Sequence, residues 1–174
     1  MFEKIAVATD GSTVANKAVD AAADLAVKYG AELTILHVLM HGEPPQSLRR
    51  MAEVEHLAEH KPEIREAFDN MPGQMVTAQA DIEKHRFDHD VIASMGEAVA
   101  QRAQQRARQA GVGTVDHETL VGDTAEQIVT AADRRGADLI VIGSRGLGPF
   151  QRLLMGSVSH KVSQIAGSAC LIVR

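Results

Sequence analysis

The chain has 174 residues, 45% of them apolar, with 18 Lys plus Arg against 23 Asp plus Glu and one cysteine. That length suits one domain carrying something extra, and the lone Cys170 excludes an intrachain disulfide framework. A net charge of −5 argues against general nucleic-acid binding, which relies on clustered Lys and Arg to neutralise phosphates.

Lys4-Ile-Ala-Val-Ala8 is a short apolar run closed by Asp10-Gly11, which predicts a buried strand and its exit turn. Ser12 suits the cap of a helix whose apolar positions Ala15, Ala18, Val19, Ala22, Leu25 and Ala26 recur every three or four residues, with Gly30 as its stop. Leu33 to Leu39 is rich in branched residues and predicts a second strand.

Between His41 and His89 the composition changes. This stretch holds 10 acidic and 6 basic residues, four of the five prolines and five of the eight histidines. It reads as an insertion, at about 41–89, within a single domain spanning 1–174.

Beyond it, Val91, Met95, Ala98, Val99, Ala103 and Ala107 mark one face of a helix that ends at Gly111. Thr114 to Val121 predicts a third strand, less buried than the others. Asp123-Thr-Ala-Glu126 resembles a capping box and opens a helix through Arg135, with Gly136 past its end. Leu139 to Ile142 predicts the fourth strand and Ser157 to Ala166 the last helix, with Val158, Val162 and Ile165 inward. Cys170 to Val173 predicts a fifth strand. Strands alternating with helices imply right-handed crossovers and a parallel sheet covered on both faces. Ligands of such sheets sit beyond the carboxyl ends of the strands, here the turns after Ala8, Val38 and Ile142.

The last of these turns is the glycine-rich one: Gly143-Ser-Arg-Gly146-Leu-Gly148, followed by Gly156-Ser157. Glycines there permit positive φ and bring backbone N–H groups close to an anion. Gly156-Ser157 opens a helix, whose free N–H groups and dipole attract phosphate, while Arg145 and Arg152 add charge. A flexible turn with glycine caps is the plainer reading. Other nucleotide motifs fail: Gly156-Ser157 lacks the lysine of a Walker A loop, and Thr9-Asp10-Gly11-Ser12 is not a dinucleotide fingerprint. Gly143-Ser-Arg-Gly146 is not a nucleophile elbow.

Gly143-x2-Gly146-x9-Gly156-Ser157 resembles the ATP-binding signature of the universal stress protein family. Ala8-Thr9-Asp10-Gly11-Ser12, His37-Val38, Val121-Gly122-Asp123 and Ala137 to Gly143 extend the resemblance across residues 1 to 40 and about 91 to 174. The resemblance implies an α/β fold with a five-stranded parallel sheet, order 3-2-1-4-5, helices on both faces, resembling the adenine nucleotide alpha hydrolases. It implies binding of ATP, or of AMP or ADP, with Mg²⁺ or Mn²⁺, by a homodimeric stress-response module paired through strand 170–173. Asp10, with Ala8 and Thr9, would meet the nucleoside, and the Val38 backbone the base. Gly143, Ser144, Arg145, Gly146, Leu147, Gly148, Gly156, Ser157 and Val158 would hold ribose and phosphates. Two departures stand out: the long 41–89 segment, and the absence of a proline from Gly167-Ser-Ala-Cys170 before the last strand.

Several residues carry two readings. Asp10 could serve only to cap the Ser12 helix. His56 with His60, and His85 with His89, have the helical spacing of a metal site that Glu53, Glu59 and Asp88 could join, or they are solvated histidines on acidic helices. Arg102, Arg106 and Arg108, interleaved with glutamines and no aromatics, read as a solvated face rather than a nucleic-acid surface. Cys170 reads as a small core residue rather than a redox switch. No catalytic residue is evident, so a regulatory nucleotide-binding protein with at most slow ATP hydrolysis is expected. The alternatives are an ATP-using enzyme, an ATPase or adenylyl transferase, and a nucleotide-free structural dimer. Met1 to Ile5 shows no basic leader, and no apolar run approaches the roughly 20 residues that span a bilayer. A cytoplasmic location without membrane association is the corresponding expectation.

Overall fold

The computed structural model describes residues 2–39, 78–146 and 156–174, with backbone alone over 78–91. The chain divides into two compact units, Met1–Met40 with Gly96–Arg174, and His41–Met95. The strands of the first unit are β1 (Lys4–Ala8), β2 (Glu32–Leu39), β3 (Val115–Val121), β4 (Leu139–Gly143) and β5 (Ala169–Val173). Its helices are α1 (Thr13–Tyr29), α2 (Ala78–Gln109, of which residues from 96 onward belong to this unit), α3 (Thr124–Arg135) and α4 (Ser157–Ile165).

All four strand pairings are parallel, in the order β3-β2-β1-β4-β5. The alternation of side chains along each strand builds two cores. Ile5, Val7, Leu33, Ile35, Leu139 and Val141 meet Ala18, Val19, Ala22 and Ala26 of α1 and Ala103 and Ala107 of α2. On the opposite face Ala6, Ala8, Leu36, Val38, Ile140 and Ile142 meet Ala125, Ile128, Val129 and Ala132 of α3 and Val162 of α4. Alanines dominate the helix side of the first core, which lets α1 and α2 approach the sheet closely.

The helix ends follow the sequence signals. Ser12 Oγ accepts from Ala15 N–H at 3.2 Å, and Asp123 Oδ1 accepts from Glu126 N–H at 3.1 Å. Gly30 and Gly136 end α1 and α3 in the left-handed conformation. Three expectations need correction. The helix predicted from Val91 begins at Ala78, inside the segment read as an insertion. Ile165, expected inward, is 45% exposed: α4 ends there, and Val162 and Ala166 are the residues that meet the core. Asp123 and Glu126 form only half a capping box: the Glu126 carboxylate reaches Lys161 of α4 instead, at 3.0 Å.

The two sheet edges differ. On β3, Asp116 and Glu118 pair with Arg134 and Arg135 of α3. On β5, Ala169 and Leu171 are exposed. Cys170 is half-buried, and burial pushes its thiol pKa up, in line with a packing role rather than a reactive one.

Polar bonds hold α2 and α1 in place. Arg106 pairs with Asp20 of α1 and Arg108 donates to the Val115 carbonyl of β3 at 3.3 Å, which makes two members of the arginine stripe structural. On the β3 side, Glu97 accepts from His117 Nε2 (2.6 Å), Gln101 (2.8 Å) and Thr119 Oγ1 (3.1 Å). The bond from His117, then that from Gln101, holds the Glu97 carboxyl below its ordinary pKa of 4.5. A depressed carboxyl stabilises the fold above that value and loses its contribution as pH falls through the folded pKa. Glu97→Gln is therefore expected to cost about 0.5–1 kcal/mol at pH 7, the scale of a solvent-screened pair. Urea unfolding should show the difference between the two proteins shrinking below pH 4.5; a pH-independent difference would remove the Glu97 carboxylate charge as its source.

Candidate functional site

Strand order reverses between β1 and β4, so their chains leave toward opposite faces and open a crevice at their carboxyl ends. The residues at that crevice come from four segments: the exit of β1, the end of β2, the exit of β4 and the start of α4.

At the β1 exit, Thr9 is buried and its N–H donates to the Leu36 carbonyl at 2.9 Å, extending the ladder one step past the strand. Thr9 Oγ1 accepts from Gly11 N–H (3.2 Å) and Asp10 Oδ1 from Ser12 N–H (3.0 Å). Asp10 thus folds an Asx turn into the start of α1, while the cap itself belongs to Ser12. The other carboxylate oxygen lies against Gly146: a Cβ there would overlap Asp10 Oδ2. Two residues 136 positions apart, both expected at the nucleotide, are neighbours in space.

At the β4 exit, Ser144 is buried and works through its backbone. Its N–H donates to the Val173 carbonyl (2.6 Å), and its own carbonyl accepts from Gly156 N–H (2.7 Å) and Ser159 Oγ (3.3 Å). These bonds hold Gly156 and Ser159 against the end of β4. Ser159 is buried and also donates to the Gly156 carbonyl at 3.0 Å, which ties the first turn of α4 to the same point. Gly156 occupies the N-cap of α4 with no side-chain cap, so the first N–H groups of that helix, at Ser157 and Val158, have no capping side chain. Such an end is ready for an anion.

The glycines differ from expectation in one respect. Gly143, Gly146 and Gly156 are not among the positive-φ glycines. They are needed for close approach instead. A Cβ on Gly143 would lie 3.1 Å from the Arg145 carbonyl oxygen and 3.3 Å from Ala15 N, and one on Gly156 would lie 3.1 Å from the Ser144 carbonyl oxygen.

Val38 is buried at the end of β2. Leu147 and Gly148, the remaining predicted loop residues, lie outside the described residues, as do Arg152, His56, His60, Glu53 and Glu59; the side chains of His85, Asp88 and His89 do too. Among the described residues no group of three or more His, Cys, Asp or Glu side chains is arranged for a metal ion. Sequence reading missed the roles of two polar residues at the crevice. One is Ser159; a serine two positions inside a glycine-capped helix was its only signal. The other is His37, a histidine in an otherwise apolar strand, whose Nδ1 lies 2.8 Å from the Thr9 carbonyl oxygen.

The sequence matches the family model described as Universal stress protein family over residues 1–174. It is 34% identical over 178 residues to the universal stress protein YxiE of Bacillus subtilis, covering 100% of both chains. The fold is similar to that of a solved universal stress protein in complex with cAMP, with a TM-score of 0.60 and 23% identity over 99% of this chain and 97% of that one. It is also similar to the universal stress protein from Archaeoglobus fulgidus in complex with dAMP, with a TM-score of 0.57 and 20% identity over 99% and 98% of the two chains. The chain belongs to the universal stress protein family.

Proposed function

We propose that this protein binds an adenine nucleotide in the crevice between β1 and β4 and acts as a homodimeric regulatory module of the stress response. The observation that carries the reading is the uncapped start of α4 beside Ser144, with Asp10 held against Gly146 across the crevice. Phosphates would take the N–H groups at Ser157 and Val158, supported by the backbone of Gly143 to Gly148 and by Arg145. The Asp10 carboxylate, beside Ala8 and Thr9, would accept from the ribose hydroxyls, and the Val38 backbone would meet the base. The adenine class draws support from the two family structures whose ligands, cAMP and dAMP, both carry that base.

ATP is the nucleotide proposed, with a divalent ion, Mg²⁺ or Mn²⁺, held largely by phosphate oxygens and water. These residues supply backbone donors and one carboxylate already bonded to the α1 start, a set suited to holding a nucleotide rather than turning it over. Bound ATP would stabilise one conformer for a protein partner to sense, with hydrolysis at most slow. We place this activity in a single domain with its insertion at about 41–89, and in the cytoplasm. No helix among the described residues is long and apolar enough to cross a membrane.

The dimer is assigned to β5. β3 carries charged side chains, Asp116 and Glu118, paired with α3, which disfavour edge pairing, whereas β5 exposes Ala169 and Leu171 on an edge that would accept another strand. Light scattering at micromolar concentration is expected to give twice the chain mass, and Leu171→Lys the chain mass. A monomeric wild type would contradict the assignment.

Calorimetric titration with ATP and Mg²⁺ is expected to show binding that Asp10→Ala weakens by about 10- to 100-fold, the loss of one or two charge-assisted hydrogen bonds. Unchanged affinity would remove Asp10 from the site. Sustained turnover of ATP in the same samples would replace the regulatory reading with an enzymatic one.

A further inference from the structure

The end of β2 contains a hydrogen-bond substitution. Along β2 the backbone donors alternate: Glu32 N–H donates to Glu3 on the β1 side at 2.9 Å, and Leu33 N–H to Thr114 on the β3 side at 3.0 Å. Even-numbered donors therefore face β1. Thr9 N–H donates to the Leu36 carbonyl, so the next rung of a continued ladder would run from Val38 N–H to the Thr9 carbonyl. That carbonyl instead meets the His37 ring, with Nδ1 at 2.8 Å. A carbonyl only accepts, so Nδ1 carries the hydrogen and donates. Among the described residues no backbone bond joins Val38 to Thr9.

The ring is held there by α2. His37 is buried, and Gly96 of α2 lies over it: a Cβ at 96 would come within 3.0 Å of His37 Cδ2 and 3.1 Å of Nε2, and would overlap Leu39. Glycine inside a helix is less favourable than alanine, and here the space a Cβ would need is taken by His37 and Leu39, so Gly96 marks a place where α2 comes close. The imidazole is thus clamped between α2 and the last carbonyl of the β1 exit.

We propose that His37 is a positioning residue that occupies the Thr9 carbonyl and so keeps the Val38 N–H available for the base of the bound nucleotide. This rests on the nucleotide reading above and deepens it. Without the ring, the Thr9 carbonyl has one near substitute donor, the Val38 amide, and the ladder closes by one rung over the place where the base would sit. An acceptor nitrogen on the ring of a purine such as adenine is the group that the Val38 amide would recognise. Phosphate binding at the α4 start, on the far side of the crevice, does not depend on the clamp.

The test compares wild type, His37→Asn, whose amide nitrogen can stand where Nδ1 does, and His37→Leu, which has no donor. In ligand-free protein, amide hydrogen exchange at Val38 is expected to be about tenfold or more slower in His37→Leu than in the other two. ATP affinity should fall about tenfold or more in His37→Leu and stay within about threefold in His37→Asn. Affinity for inorganic tripolyphosphate should be equal in all three. Should the leucine variant not fold, His37→Phe replaces it as the donor-free protein. Equal Val38 exchange in all proteins, or equal loss of ATP and tripolyphosphate binding, would overturn the proposal. A wild type that shows the expected exchange pattern but takes up no ATP would overturn the nucleotide reading while supporting the clamp.

Discussion

Two neighbouring parallel strands, β1 and β4, send their chains to opposite faces of the sheet, and the candidate site arises from that divergence. The chain leaving β1 enters α1, which buries Ala18, Val19 and Ala22 on one face; the chain leaving β4 leads to α4, which buries Val162 on the other. Hydrophobic burial on both faces enforces the split, because each helix must cover apolar side chains that alternate along the strands. Past one further ladder bond each, Thr9 N–H to the Leu36 carbonyl of β2 and Ser144 N–H to the Val173 carbonyl of β5, the backbone at the two exits arranges its polar groups locally. A crevice lined by main-chain donors is the result.

Within the crevice, the main-chain carbonyls and amides of the two exits are bonded locally, and the start of α4 is left without a capping side chain. The Ser144 carbonyl takes both Gly156 N–H and Ser159 Oγ, which fixes the start of α4 against the end of β4. The Thr9 carbonyl takes the His37 ring, and Thr9 Oγ1 and Asp10 Oδ1 take the next two amides as the chain turns into α1. A buried unpaired carbonyl would be costly, so each of these bonds is part of the fold's stability as well as of the site's shape. The glycines serve the same end: their bare Cα atoms admit Asp10 to Gly146 and the start of α1 to Gly143.

Most of the architecture was legible in the amino-acid pattern because it rests on local chemistry. The apolar runs at residues 4–8 and 139–143, the Ser12 and Asp123 caps and the stops at Gly30 and Gly136 are short-range signals, and each element formed where they pointed. The strand order came through the family resemblance, not through periodicity, since pairing order is a long-range property. Ile165 misled because helical spacing says which face a residue shares but not where the sheet beneath it ends. Spacing alone does not separate a turn requirement from a close approach, and at Gly143 and Gly146 the structure shows the close approach without positive φ. His37 belongs to the family pattern in the sequence, but only the positions of Thr9 and Gly96 around it give its ring a purpose.

The central claim, that the divergent ends of β1 and β4 hold an adenine nucleotide, is tested most directly by titrating ¹⁵N-labelled protein with ATP and following each amide by NMR. Saturable shifts are expected to concentrate at Thr9, Asp10, Val38, Ser144, Gly146, Ser157 and Val158, with the amides of β3 and the carboxyl-terminal end of α3 unmoved. Saturable shifts centred elsewhere, or none at millimolar ATP, would contradict it.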